Sequence, residues 1–92
     1  MTMIEVSYTK LFEKQLAKCP KGIRDKALLW VKTVESFGIR EVRKRPGYHD
    51  EPLKGKRQKQ RSVRLSKAYR LIDQEYAKEI YIKVLEVHKH DY

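Results

Sequence analysis

Hydrophobic and polar positions alternate near the start of the chain. Ile4, Val6 and Tyr8 are set against Glu5 and Ser7, which predicts a short strand. Thr9 is placed to cap a short helix over 10–18, with Phe12, Leu16 and Cys19 on one face. Pro20 suits the first position of a second helix. In that helix Ile23, Ala27, Trp30, Val31 and Val34 recur at helical spacing, and Gly38 stops it after Phe37. Residues 39–45 read either as a short helix or as an irregular basic segment. Pro46-Gly47 is a turn signal, and 49–52 read as polar loop. From Leu53 the pattern turns to strands. Val63 and Leu65 share one face of the segment 61–66, and Ser62 and Arg64 share the other. A second strand covers 69–76, with Arg70 opposite Tyr69 and Leu71. A third covers 79–87, and its apolar residues on both faces place it centrally.

The resulting order, β-α-α-β-β-β, predicts an α+β domain spanning 1–92. Two N-terminal helices should cover one face of a small antiparallel sheet. The opposite face would then be free to present Arg64, Arg70 and the C-terminal residues.

Charge gives that free face a purpose. Of 92 residues, 22 are Lys or Arg and 12 are Asp or Glu, a net charge of +10. Residues 40–70 carry +9 of it, and 53–70 hold eight basic residues and no acidic one. A polyanion is the natural partner of such a patch, because neutralising phosphates releases counterions. A solvated face or basic tail would also carry such a run. Here Val63, Leu65, Tyr69, Leu71 and Ile72 are interleaved with the charges, which places them on strands. A membrane surface fits less well, since the basic stretch lacks amphipathic helical spacing. No run approaches the ~18 apolar residues of a membrane span, and the N-terminal segment lacks the apolar core of a signal peptide. With Cys19 the only cysteine, neither an intrachain disulfide nor a cysteine zinc site is expected, and a cytoplasmic setting is the default.

The motifs of nucleotide-binding loops, zinc peptidases and serine hydrolases are absent. His49, His88 and His90 lack the companions of a metal site, so no metal and no cofactor is expected. What remains is Lys, Arg, His, Tyr and Glu around a basic face. That set suffices for metal-free RNA cleavage. RNA carries its own nucleophile, the 2′-OH. The protein must orient it, take its proton, stabilise charge on the phosphorane-like transition state, and protonate the 5′-oxygen that leaves. Arginine suits the phosphate because its fork binds two oxygens. Nucleic-acid binding without cleavage fits this composition nearly as well.

Three phrases carry a resemblance. Glu51-Pro52-Leu53-Lys54-Gly55, Arg61-Ser62-Val63-Arg64-Leu65 and Ala68-Tyr69-Arg70-Leu71-Ile72, with the ending His88-Lys89-His90-Asp91-Tyr92, resemble the RelE/ParE toxin superfamily over essentially the whole chain. The resemblance implies the toxin of a bacterial type II toxin–antitoxin system, of the branch containing YoeB, YafQ and HigB. Such toxins cut mRNA on the ribosome and are neutralised by a cognate antitoxin. It implies ribosomal RNA and mRNA as partners, a monomeric free toxin and a hetero-oligomer with the antitoxin. By the same resemblance Glu51 would act as base, Lys54 as a functional lysine and Arg70 as the scissile-phosphate ligand, with His90 and Tyr92 completing the site. The order His90-Asp91-Tyr92 departs from the endings of the named relatives, so the acid role stays open among His88, His90, Asp91 and Tyr92. Arg64 would help bind phosphate, and Lys56, Arg57, Lys59 and Arg61 would contact RNA backbone. The superfamily also contains ParE-like toxins that poison DNA gyrase. That activity, and a binding module without enzymatic activity, are the competing expectations.

Overall fold

The computed structural model describes residues 4–76 and 81–89. Strand β1 (Glu5–Tyr8) leads into helix α1 (Lys10–Ala17), then α2 (Lys21–Phe37) and a short α3 (Ile39–Arg43). Four strands follow: β2 (Glu51–Pro52), β3 (Gln60–Arg64), β4 (Tyr69–Tyr76) and β5 (Tyr81–Lys89). The sheet order is β1-β5-β4-β3-β2. All pairings are antiparallel except β1 with β5, which is parallel. The expected α+β architecture is present, and the parallel pair makes the sheet mixed. Parallel neighbours need a long connection, and here the three helices and three strands between β1 and β5 provide it.

The predicted stripe of α2 is buried: Ile23, Ala27, Trp30, Val31 and Val34 all face the sheet. Phe12 of α1 joins them, as do Ile39 and Val42 of α3. From the sheet come Val63, Leu65, Leu71, Ile82, Val84 and Val87. Strand parity on β3 and β4 is as expected, with Val63 and Leu71 in the core and Arg64 and Arg70 on the other side. Gly38 ends α2 at φ 87°, with its N–H donating to Val34 O at 2.8 Å. That left-handed φ favours glycine.

Three local expectations change, and the segment after Gly38, left open between helix and irregular chain, takes the first of its two readings. Pro20 is the N-cap of α2 and not its first residue. Residues 39–43 are helical. A 3₁₀ turn over Gly55–Arg57 precedes the first long C-terminal strand. Residues 51–52, expected as loop, form an edge strand paired with β3 through Glu51–Ser62 and Pro52–Arg61. Proline is tolerated there because an edge strand leaves one side of its backbone unpaired.

The apolar centre of β5 has a specific cause. The register with β4 shifts between Ile72 and Asp73, so Ile72 faces Glu86 while Asp73 faces Val84, and Leu85 is the extra residue. Such a bulge switches strand parity, which lets Val84 and Val87 both enter the core. Thr9 is built into this irregularity. Its Oγ1 accepts from Phe12 N at 3.0 Å, capping α1, and donates to Leu85 O at 2.5 Å. Gln15 Oε1 accepts from Val87 N at 2.9 Å on the same side. Thr9→Ala should therefore cost about 1–2 kcal/mol, a cap and one further hydrogen bond, and lower Tm by several degrees. Thr9→Ser should keep most of that stability. Thermal melts of the two variants check this.

Candidate active site

On the face away from the helices, the register lines up functional groups in rows. Glu51, Ser62, Ile72 and Glu86 stand opposite one another across β2, β3, β4 and β5. The next row is Arg64, Arg70 and His88. Over these rows the loop from Leu53 to Gln60 folds back. Its Arg57 ion-pairs with Glu86, and Arg57 Nε donates to Gln60 Oε1 at 2.7 Å. The result is a groove of about 220 Å³ lined by Glu51, Leu53, Arg57, Ser62, Arg70, Ile72 and His88. Ile72 is buried at its floor, outside the main core cluster.

Arg70 is the focus of the groove. It enters from the middle of the sheet, opposite His88 on one side and Arg64 on the other. Its Nη1 is buried and has no hydrogen-bond partner among the described residues. A desolvated guanidinium N–H without an acceptor is costly. An anion placed in the groove would satisfy it with a charge-assisted bond.

The groove brings Glu51, Arg57 and Arg70 together and adds His88. Lys54 is exposed at the entrance to the 55–57 turn and does not line the groove. Lys56 and Lys59 are exposed on the loop above it. His90 and Tyr92 lie outside the described residues, as does Asp91. The signal for His88 in the sequence was its place two residues before His90, on the same side of a continuing strand; its pairing opposite Arg70 comes from the register. Glu86 carried no comparable signal, because its place follows from the bulge at Leu85.

Arg61 is placed differently from the expected backbone-contact role. It points to the helix side of the sheet, where Arg61 Nε donates to Asp50 Oδ1 at 2.5 Å. The Asp50 side chain has no exposed surface and also lies 4.0 Å from Arg43 Nε. Arg43 Nη1 meets Glu75 Oε1 at 2.9 Å. The alternation already put Arg61 on the Val63 side, and Asp50 supplies the partner that a cation needs there. Asp73, opposite Arg61 in the ladder, is fully buried, and neither of its carboxylate oxygens has a hydrogen-bond partner among the described residues.

Burial, reinforced by the Asp50 charge, raises Asp73 from 3.8 to about 7; Arg43 and Arg61 oppose the shift, and Glu75 adds to it. The folded chain thus holds a proton that the unfolded chain has already lost. Stability contributed by protonated Asp73 should fall as pH rises from about 4 to about 7, and level off above. Asp73→Asn imitates the protonated form. It should flatten that slope and raise stability at pH 8 by about 2 kcal/mol, a change that urea denaturation at pH 5 and pH 8 would resolve.

No helix among the described residues is long and apolar enough to cross a membrane. Nor does any group of three or more His, Cys, Asp or Glu side chains among them form a metal-ligand set.

No family profile matches the chain, and no curated protein matches it by sequence. Solved structures do match. YafQ from E. coli superposes with a TM-score of 0.77 at 13% identity, over 96% of this chain and 94% of that one. The archaeal RelE–RelB complex from Pyrococcus horikoshii gives 0.72 at 25% identity, over 97% and 96%. A YoeB/ParE toxin from Agrobacterium tumefaciens gives 0.72 at 14% identity, over 96% and 100%. These are toxins, alone or in toxin–antitoxin complexes, and the likeness covers nearly the full length of each. The chain shares its fold, over nearly its whole length, with toxins of the RelE, YafQ and YoeB/ParE kind.

Proposed function

We propose that this protein is the toxin of a type II toxin–antitoxin pair and that it cleaves mRNA on the ribosome, using the RNA's own 2′-OH as nucleophile. The observation that carries this reading is the Arg70 guanidinium, whose Nη1 is buried with no acceptor among the described residues, in a groove that also holds Arg57, His88 and Glu51. Two forks for phosphate, one proton donor and one proton acceptor are what in-line cleavage requires.

In this mechanism Arg70 binds the scissile phosphate and stabilises the charge that grows on its oxygens. Arg57 closes over it from the loop, releasing Glu86 as the phosphate arrives. Glu51, on the edge strand, takes the proton of the 2′-OH. His88 donates a proton to the departing 5′-oxygen. His90 and Tyr92 remain candidates for that acid on the strength of the resemblance, and Lys54 is assigned to steering at the rim. Exposed Lys56 and Lys59, with Arg64, supply contacts to RNA backbone, while Arg61 is committed to Asp50. A cognate antitoxin would neutralise the toxin, in line with the complexes among its structural neighbours.

Expression in a bacterial host, followed by primer extension on translated mRNA, tests this reading. Growth arrest with new 5′ ends inside coding regions supports it. Growth arrest with intact mRNA and an induced DNA-damage response indicates a gyrase poison. Salt-sensitive nucleic-acid binding without toxicity indicates a binding module.

A further inference from the structure

Glu51 lines the groove, yet little on its own side of the sheet fixes it. Strand β2 is two residues long, and both Glu51 and Pro52 are exposed. A strand so short gains few ladder bonds, and Pro52 has no N–H to give to β3. The Glu51 carboxylate has no hydrogen-bond or ion-pair partner among the described residues. The approach to the strand is strained as well. His49, immediately before Asp50, has φ 42°, the one left-handed non-glycine backbone among the described residues. Such a conformation persists where its surroundings hold it in place.

We infer that Arg61, with Asp50 and Arg43, is an anchor on the helix side of the sheet that positions Glu51 in the groove on the other side. Successive side chains of an extended chain point to opposite faces. Asp50 therefore turns inward, with no exposed side-chain surface, and Glu51 turns out to the groove. Asp50 Oδ1 accepts from Arg61 Nε at 2.5 Å, and Arg61 Nη2 reaches the carbonyl oxygen of the same residue at 3.5 Å. Arg61 is also the ladder partner of Pro52, and its neighbour Ser62 is the partner of Glu51. Glu51 is thus held from both flanks, at residue 50 by the ion pair and at residue 52 by the register. Arg43 of α3 lies 4.0 Å from Asp50 Oδ1 and reaches Glu75 of β4, which ties the edge strand to the helix layer. A buried ion pair adds little stability over apolar side chains of the same volume. What it adds here is one defined place for residue 50. Neither Arg61 nor Asp50 lines the groove, so both are positioning residues. Their effect on rate rests on the preceding reading of Glu51 as the base, because a base must stand within hydrogen-bond reach of the proton it takes.

Arg61→Lys in the full chain tests this, since it keeps a cation beside Asp50 but cannot hold the carboxylate and the carbonyl together. Asp50→Glu, which keeps both charges and lengthens the anchor by a methylene, is the second variant and should behave alike. In amide hydrogen exchange, the Leu53 N–H donates to Gln60 O at 2.9 Å just beyond β2. It should exchange about tenfold faster relative to the amides of α2. In single-turnover cleavage of ribosome-bound mRNA, the rate should fall about tenfold with the half-saturating ribosome concentration unchanged. On a Glu51→Gln background the same substitution should add nothing. A merely structural Arg61 would speed the Leu53 and α2 amides together and slow cleavage equally in both backgrounds, and either result overturns the inference. If Glu51→Gln itself cleaves at the parental rate, Glu51 is not the base and the mechanism falls. Faster exchange at Leu53 would still support the anchor in that case, and unchanged exchange would overturn it.

Discussion

Arg70→Ala should reduce single-turnover cleavage of ribosome-bound mRNA by about 10²–10³-fold and abolish toxicity, with the fold intact. The residue stands on the face away from the core, half-buried, and its Nη1 has no hydrogen-bond partner among the described residues. Removing it leaves no partner stranded, so its effect on Tm should be small. The effect on chemistry should be large, because in the proposed mechanism the guanidinium is the group whose bonds strengthen as charge develops on the phosphate. Arg70→Lys keeps the charge but loses the two-pronged geometry, and should recover only part of the rate. An alanine variant that cleaves at the parental rate would remove the groove from consideration as the active site.

The second large effect is structural. Asp50→Asn should destabilise the protein by about 3 kcal/mol at neutral pH. Asp50 has no exposed surface and neutralises Arg61 directly, with Arg43 close by. Without its charge, two partly buried guanidinium groups are left, among the described residues, with Glu75 and Asp73 as acidic neighbours. The same change removes the charge that, after burial, does most to keep Asp73 protonated. Asp73 should then ionise at lower pH, and the decline in stability between about pH 4 and pH 7 should shrink. Denaturation curves across that range would report both effects. A variant as stable as the parent with an unchanged pH profile would show that the cluster contributes little.

Much of the fold was legible because strand parity and helical spacing are local. Val63 and Leu65 against Ser62 and Arg64 gave the two faces of β3, and Arg70 opposite Leu71 gave those of β4. The stripe from Ile23 to Val34 gave the buried side of α2. Features created by pairing were not legible. The two-residue strand at Glu51 exists only because β3 lies beside it. The parallel partnership of β1 with β5 joins opposite ends of the chain. The extra residue at Leu85 resets parity midway along β5, which disguised Glu86 as one more residue of a central strand and hid its pairing with Arg57. For the site, Arg70 followed from parity and from the resemblance alike, and Glu51 from the resemblance. Arg61 misled because its charge drew attention before its parity did.

The most direct measurement concerns the nucleophile. Purified protein would be added to ribosomes programmed with an mRNA whose cleavage site has been mapped. A matching mRNA would carry a 2′-O-methyl group on the nucleotide 5′ to the scissile bond. The account predicts a cut in the first mRNA, yielding a 2′,3′-cyclic phosphate and a 5′-hydroxyl, and no cut in the second. Cleavage of the methylated mRNA at an equal rate, or an intact first mRNA, would contradict it.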